Sequence, residues 1–356
     1  MLAVIGITPD AINQCLGFQK RIAICHREIL AVIPVDTLQQ VLLYRVHFDA
    51  AMISGKVTLT DIPMGGLMLN SIVIVTISVL NLGAIESAYQ QAFAYETVEK
   101  GVLSAELTKL WGASGMTGRD YLLMRPPGEA GPLLRFIENP ESKGYQPMTD
   151  HGWNAIELLA ENPDALAAQL ADSPFKIIGE PKDLWPGENV PRVMQALGPG
   201  NEVLYLTNNK RFSFDQFVDR VFIMVLAGTS MSELRQYYAE TFDITVDEPA
   251  PYPIGVVNRA QGRSADTTYP LAIARLSDEY LIELDEYPAD TGPRSVADNM
   301  LPPGVAMVSV VVPDLDALNL EWRGAPIVAT GPGYEGRRTA VTVGPAGEWL
   351  ELIEAK

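Results

Sequence analysis

The chain has 356 residues, 47% of them apolar and 20% charged, a globular composition long enough for two domains. Its formal net charge of −18 argues against nucleic acid and anionic membranes as partners. The two cysteines, Cys15 and Cys25, are too few and too close together for a disulfide framework, which fits a reducing, cytoplasmic setting.

Residues 1–68 differ from the rest. They hold both cysteines and two of the three histidines, His26 and His47, and their charges cancel, so the whole net charge belongs to residues 69–356. "ILAVIP" and "VLLYRV" are apolar, but Arg21, Arg27 and Glu28 interrupt the region and no secretory-signal pattern appears. Two readings stay open: an N-terminal arm packed on the body, or a translation start further on at Met52, Met64 or Met68. No function is placed here.

The next stretch, "MGGLMLNSIVIVTISVLNLGAI" (64–85), is uncharged over a length that could cross a bilayer. Asn70, Ser71, Thr76, Ser78 and Asn81 stud it, and "IVIVTISV" is short and β-branched, so a buried strand and a turn are expected instead.

Beyond it the chain repeats. "SIVIVTISVLNLGAIESAYQQAFAYE" (71–96) and "RVFIMVLAGTSMSELRQYYAETFDIT" (220–245) each read as strand, polar loop and amphipathic helix, with Tyr89 and Tyr238 at the same offset. Each runs on through strand-like segments to a predicted hairpin, at 121–140 and 269–288. A second module follows in each half: "GWNAIELLAENPDALAAQL" (152–170) matches "GVAMVSVVVPDLDALNLEW" (304–322), a strand and then a helix that Asp can cap. These modules close on two related strands, "LGPGNEVLYLTNN" (197–209) and "VGPAGEWLELIEAK" (343–356), which set Tyr205 opposite Glu351. Four β-α-β-β-β units result, expected to pair in succession as domains at 69–209 and 210–356, joined by "TNNKRF" (207–212).

The strand–loop–helix openings with their tyrosines, the "PDLDAL" entry at 313–318 and the "GPAGEWLEL" closing strand resemble the vicinal oxygen chelate superfamily. That group includes glyoxalase I, extradiol dioxygenases, fosfomycin and bleomycin resistance proteins, and several epimerases. The resemblance covers residues 69–356 and implies an α+β fold of two tandem domains, each two βαβββ modules forming a cupped mixed sheet. It also implies a divalent metal in the cup, held by the first and last strands of each module. Aligned on the repeats, those positions are Ser71, Arg135, Asn154 and Tyr205 in the first half and Arg220, Glu283, Ala306 and Glu351 in the second. A slip of one residue would turn any of them to the other face.

The first set is no metal site, since arginine has no lone pair to give. In the second, Arg220 could bridge Glu283 and Glu351 and supply the positive charge a metal would otherwise bring; the alternative is an inert buried ion pair. An extradiol dioxygenase needs two histidines and a carboxylate on iron, and residues 69–356 hold only His151.

His151 reads either as a rim acid–base group or as an exposed turn histidine. Arg135, Asn154 and Tyr205, with Trp153 beside them, could bind a carboxylate or enolate, unless Tyr205 simply packs in the core. "DLWPGENVP" (183–191), with Trp185 as a lid candidate, and "GPGYEGRR" (331–338) are expected as loops near the cup mouths.

The sequence thus predicts a metal-independent isomerase or lyase for a small oxygenated, aromatic-derived compound. Glu283, Glu351 and Arg220 would be catalytic, and Arg135, Asn154, Tyr205, Trp153 and His151 would bind substrate. The alternatives are a non-catalytic binder of the bleomycin-resistance type, or a divalent-metal lyase using Glu283 and Glu351 as ligands. No cofactor is expected in the leading reading, and the partner is a small molecule, with a homodimer permitted.

Overall fold

The computed structural model describes residues 69–128, 131–276 and 279–356, together with the backbone of residues 23–25 and 28–30. The chain divides into two units, residues 1–64 and 65–356. In the first, β1 (Ala23–Cys25) and β2 (Glu28–Leu30) pair as a short antiparallel ladder. The readings made for the rest of residues 1–68, including their histidines and Cys15, lie outside the described residues.

The second unit carries four modules. The first runs through β3 (Ile72–Val79), α1 (Leu82–Phe93), β4 (Glu96–Val102), α2 (Ala105–Leu110), β5 (Asp120–Arg125) and β6 (Leu133–Glu138). The second is β7 (Gly152–Ala160), α3 (Pro163–Leu170), β8 (Lys176–Asp183), β9 (Arg192–Leu197) and β10 (Val203–Asn208). The third comprises β11 (Val218–Gly228), α4 (Met231–Phe242), β12 (Thr245–Val246), β13 (Ala250–Tyr252), α5 (Gly255–Ala260), β14 (Tyr269–Arg275) and β15 (Leu281–Glu286). The fourth is β16 (Gly304–Val312), β17 (Ile327–Ala329), β18 (Arg337–Val343) and β19 (Trp349–Glu354).

The charge-free stretch that could have been a membrane span contains β3, whose polar Thr76 and Ser78 are buried within a sheet. Among the described residues no helix is long and apolar enough to cross a membrane. Polar side chains start the helices: Asn81, Asn162 and Ser230 each accept from a backbone N–H three residues on, worth about 1 kcal/mol apiece. In the second module the cap is thus Asn162 rather than an aspartate, with Pro163 at the first helical position.

The fourth module has no helix where one was expected. Asp314 Oδ1 instead accepts from the Asp316 N–H, an Asx turn that competes with helix, and Arg338 draws the Asp316 carboxylate aside. Leu315 and Leu318 still bury their side chains. Two short helices, α2 and α5, were not anticipated at all.

The modules build two mixed sheets. One runs β17-β18-β19-β16-β3-β6-β5-β4 and the other β12-β14-β15-β11-β7-β10-β9-β8, with β13 on β14. The expected pairing in succession is therefore corrected. The first module shares a sheet with the fourth, and the second with the third, so neither sheet respects a split at 209/210. Successive modules meet instead through a tyrosine and a buried glutamate. Tyr89 of α1 donates to Glu202 Oε1 (2.9 Å), and Tyr238 of α4 to Glu348 Oε1 (3.1 Å).

This contact also explains the Gly-Pro echo. Glu202 and Glu348 fold back over the turns that open β10 and β19, accepting from the N–H of Gly200 and of Ala346. A Cβ on Gly198 would stand 1.8 Å from Glu202 Oε1, and one on Gly344 2.0 Å from Glu348 Oε1. Only glycine leaves room for the carboxyl there.

Alternation along the strands divides the interior. Ile156, Leu158, Leu204, Leu206, Met224, Leu226, Leu350 and Leu352 belong to one core shared by both sheets and the helices α1, α3 and α4. The opposite faces form the two cups, the second floored around Tyr205 and Val225 and the first around Trp111, Met307 and Trp349.

Candidate functional site

Register fixes what points into each cup. In the first, Thr76 stands beside Arg135 on β3 and β6, and Ser309 beside Glu351 on β16 and β19. In the second, Glu157 stands beside Tyr205 on β7 and β10, and Val225 beside Glu283 on β11 and β15. The last-strand positions read from the sequence, Arg135, Tyr205, Glu283 and Glu351, therefore face the cups. Ser71, Asn154, Arg220 and Ala306 do not hold the first-strand positions, which belong to Thr76, Glu157, Val225 and Ser309. Uniform β-branched runs carry no register mark, and irregularities between β11 and β7 and between β16 and β3 shift the count.

The first cup is filled. Arg135 donates from Nε and Nη2 to Thr76 Oγ1 (3.0 and 2.8 Å), from Nη1 to the Tyr334 hydroxyl (2.6 Å) and from Nη2 to Glu351 Oε2 (3.3 Å). Glu351 also accepts from Trp111 Nε1 and the Tyr334 hydroxyl, both at 2.8 Å, and from Ser309. The Arg135 guanidinium lies 4.7 Å from the Trp111 ring centre. Arg135 is 2% exposed and Glu351 and Trp111 are 0% exposed, so the group is closed to solvent. Tyr334 comes from the 331–338 loop, which was expected at the mouth and instead plugs the cup. Trp111 follows α2.

The second cup is open. A cavity of about 700 Å³ lies over β7–β11 and β14–β15, lined by Glu157, Gln195, Tyr205 and Glu283 among apolar residues including Ile178, Leu184, Trp185, Ile223, Tyr252 and Ile273. Trp185, half exposed, stands on the 184–191 loop as expected of a mouth residue. Glu157 is 5% exposed and accepts from the Thr207 hydroxyl (2.6 Å). Burial raises its carboxyl to about 7, against the lowering effect of Thr207. Burial, then the neighbouring Asp285 and Glu157, hold the Glu283 carboxyl well above its ordinary range. Asp285, fully buried with neither carboxyl oxygen hydrogen-bonded among the described residues, is raised to about 8 by burial.

The expected Glu283–Glu351–Arg220 cluster does not form. Glu351 belongs to Arg135 in the other sheet, and Arg220 reaches Asp219 (3.5 Å) and Glu279 (4.0 Å) outside both cups. Asn154 is buried but braces a loop, accepting from the Met148 N–H and donating to the Asp150 and Gly152 carbonyls. Trp153 donates to the Trp349 carbonyl across the shared core, and His151 is a buried loop residue bonded to Thr291. Glu157 was missed. A lone acid inside the apolar run "GWNAIELLA" was its signal, because an unpaired charge is seldom buried without a use.

The metal positions implied by the resemblance are held in neither cup by a full set of donor side chains. Among the described residues no group of three or more His, Cys, Asp or Glu side chains could hold one. In the second cup Val225 offers no donor atom and Thr207 occupies one oxygen of Glu157. In the first, a guanidinium already sits on the carboxylate. A metal site built from Glu283 and Glu351 is ruled out by their separation into different cups.

No protein-family model and no curated protein sequence matches the chain. Crystal structures do. Glyoxalase I from Zea mays aligns at a TM-score of 0.57 and 14% identity, over 80% of this chain and 92% of that one. A mutant form of the same maize enzyme aligns at 0.56 and 14%, over 80% and 93%. A glyoxalase/bleomycin resistance protein/dioxygenase family enzyme from Burkholderia phytofirmans PsJN covers 39% of this chain and 98% of its own, at 13% identity and a TM-score of 0.27. The glyoxalase I alignments show that the chain has the α+β tandem fold of that enzyme, two curled mixed sheets that each join two modules.

Proposed function

We propose that the second cup is the working site and that it catalyses proton transfer on a small oxygenated, aromatic-derived compound, as an isomerase or lyase without a metal. The observation that carries this reading is the pair of carboxyls, Glu157 and Glu283, facing one largely apolar cavity from strands on either side of β11. Strand and residue spacing sets their Cα atoms roughly 12 Å apart, room for a ligand between them.

Their environments push them into different roles. Glu157, near 7 and supported by Thr207, is ionised often enough at neutral pH to act as base; Glu283, well above its ordinary range, stays protonated and acts as acid. Glu157 takes a proton from a carbon next to a carbonyl, and the C–H electron pair moves into the enol. Glu283 gives its proton to the carbonyl oxygen, with Tyr205 beside it as a donor. For an α-hydroxyketone that enol is an enediol: delivery of the Glu157 proton to the former carbonyl carbon, with loss of the proton from the other oxygen to Glu283 as that oxygen becomes the new carbonyl, completes an isomerisation with no net change in protons. Glu283 keeps its expected catalytic role, with Glu157 in place of Glu351 and Arg220.

The experiment is solvent exchange. Aryl hydroxyketones held with the protein in D₂O should gain deuterium at the carbon next to the carbonyl, followed by NMR. Glu157→Gln should slow exchange by about a hundredfold or more, while Glu351→Gln should leave the rate of the folded fraction unchanged. Ligands that bind in the cup but never exchange would replace this reading with a binder.

A further inference from the structure

The two cups are charge-reversed at one corresponding strand position. Where the first sheet places Arg135, at the end of its opening module, the second places Glu283. The first cup thereby carries its own cation, seated on Glu351. The second sets Glu157 and Glu283 toward the cavity with Asp285 close by, and among the described residues no Lys, Arg or His side chain is bonded to any of the three. The cationic side chains on the cavity wall, Lys182 and Arg259, are exposed, and Arg259 is engaged by the Ile178 carbonyl.

Two further polar groups wait in the same space. Tyr205 and Gln195, each 7% exposed, line the cavity, and among the described residues neither side chain has a hydrogen-bond partner. Both present polar atoms to the open cavity, where a ligand can take up their hydrogen bonds directly. Tyr252 and Trp185 add aromatic faces, which attract cations as well as apolar rings.

We infer that the ligand of the second cup carries a protonated amine on an apolar body, the ammonium seated on Glu283 and the body against the cavity wall. This rests on the reading of the second cup as the working site and deepens it by naming the charge of the substrate. A bound ammonium favours the ionised form of Glu283, so with such a substrate Glu283 is the counter-ion, Glu157 keeps the role of base and the Tyr205 hydroxyl donates to the carbonyl oxygen. The ammonium supplies to Glu283 what Arg135 supplies to Glu351, and Tyr205 and Gln195 complete its polar shell. A substrate with an anionic end in the cup would face two carboxyls with no counter-ion.

The test uses the full chain and three probes of one shape, phenylbutylamine, phenylbutanol and phenylbutyrate, titrated by calorimetry. The amine should bind about tenfold or more tightly than the alcohol, the margin of a charge-assisted over a neutral hydrogen bond, and the acid should bind weakest. Glu283→Gln should erase the preference for the amine while keeping the affinity for the alcohol, which also reports that the variant is folded. If that variant does not fold, the ranking on the unaltered protein decides alone. Equal binding of amine and alcohol, preference for the acid, or an amine preference that survives both Glu283→Gln and Glu157→Gln would overturn the inference, as would no binding of any probe. Amine binding without deuterium exchange would instead spare this inference and remove the catalytic reading.

Discussion

Tyr89 and Glu202 are joined by a 2.9 Å hydrogen bond between two modules that share no sheet, and Tyr238 and Glu348 repeat it at 3.1 Å. All four residues are buried. Tyr89→Phe and Tyr238→Phe each withdraw a donor from a buried carboxyl and should each cost about 1–3 kcal/mol in urea unfolding. The two contacts are separate, so the double variant should lose the sum.

Stability should fall from mildly acidic to alkaline pH. Burial raises Glu202, Glu348 and Glu157 to about 7 from an ordinary 4.5, and Asp285 to about 8 from 3.8. Each group holds its proton more tightly folded than unfolded. Its contribution is complete below the unfolded value and disappears as pH rises through the folded one. The unfolding free energy should therefore decline between about pH 5 and pH 8, by several kcal/mol in all, and the melting temperature with it. Glu202→Gln, Glu348→Gln and Asp285→Asn should each flatten the slope, read by calorimetry across that range. A melting temperature that climbs from pH 5 to pH 8 would contradict the assignment.

Arg135→Met should destabilise the fold by about 3–5 kcal/mol, because Glu351 would be left charged and buried without its cation. Adding Glu351→Gln should recover much of the loss, since an amide oxygen still accepts from Trp111 and Tyr334. Denaturant titration of the single and double variants measures the difference. Deuterium exchange by the double variant should match the unaltered chain.

Trp185 reports on the cavity. It lines the mouth and is 51% exposed, so a bound ligand should shield it and shift its fluorescence to the blue. Trp185→Phe should abolish that change and weaken binding about two- to fivefold through lost contact area. A ligand whose binding leaves the signal untouched sits outside this cup.

The sequence made the module repeat legible because its marks are local: glycine turns, a tyrosine at a fixed offset, a closing strand with a single polar position. Those marks located Arg135, Tyr205, Glu283 and Glu351 on the cup faces. They did not locate Glu157 or Thr76, because bulged central strands lose the count that a clean alternation would keep. Nor could they show which modules share a sheet. That choice rests on hydrogen bonds between strands remote in sequence, and the β3–β16 ladder leaves no trace in either segment alone. The Arg135–Glu351 pair followed the same rule, two residues from opposite ends of the unit that meet only once the sheet exists.

The order of the modules has a consequence for how the protein is made. The second sheet is a continuous stretch, from Gly152 to Glu286, and has all its strands once that stretch has left the ribosome. The first sheet is not: β3 must wait for β16, more than two hundred residues later in synthesis. At about 5–20 residues per second, that leaves a long apolar strand edge without its partner for tens of seconds. Aggregation during expression should therefore originate in the first sheet, whose β3 edge stays open until β16 has emerged.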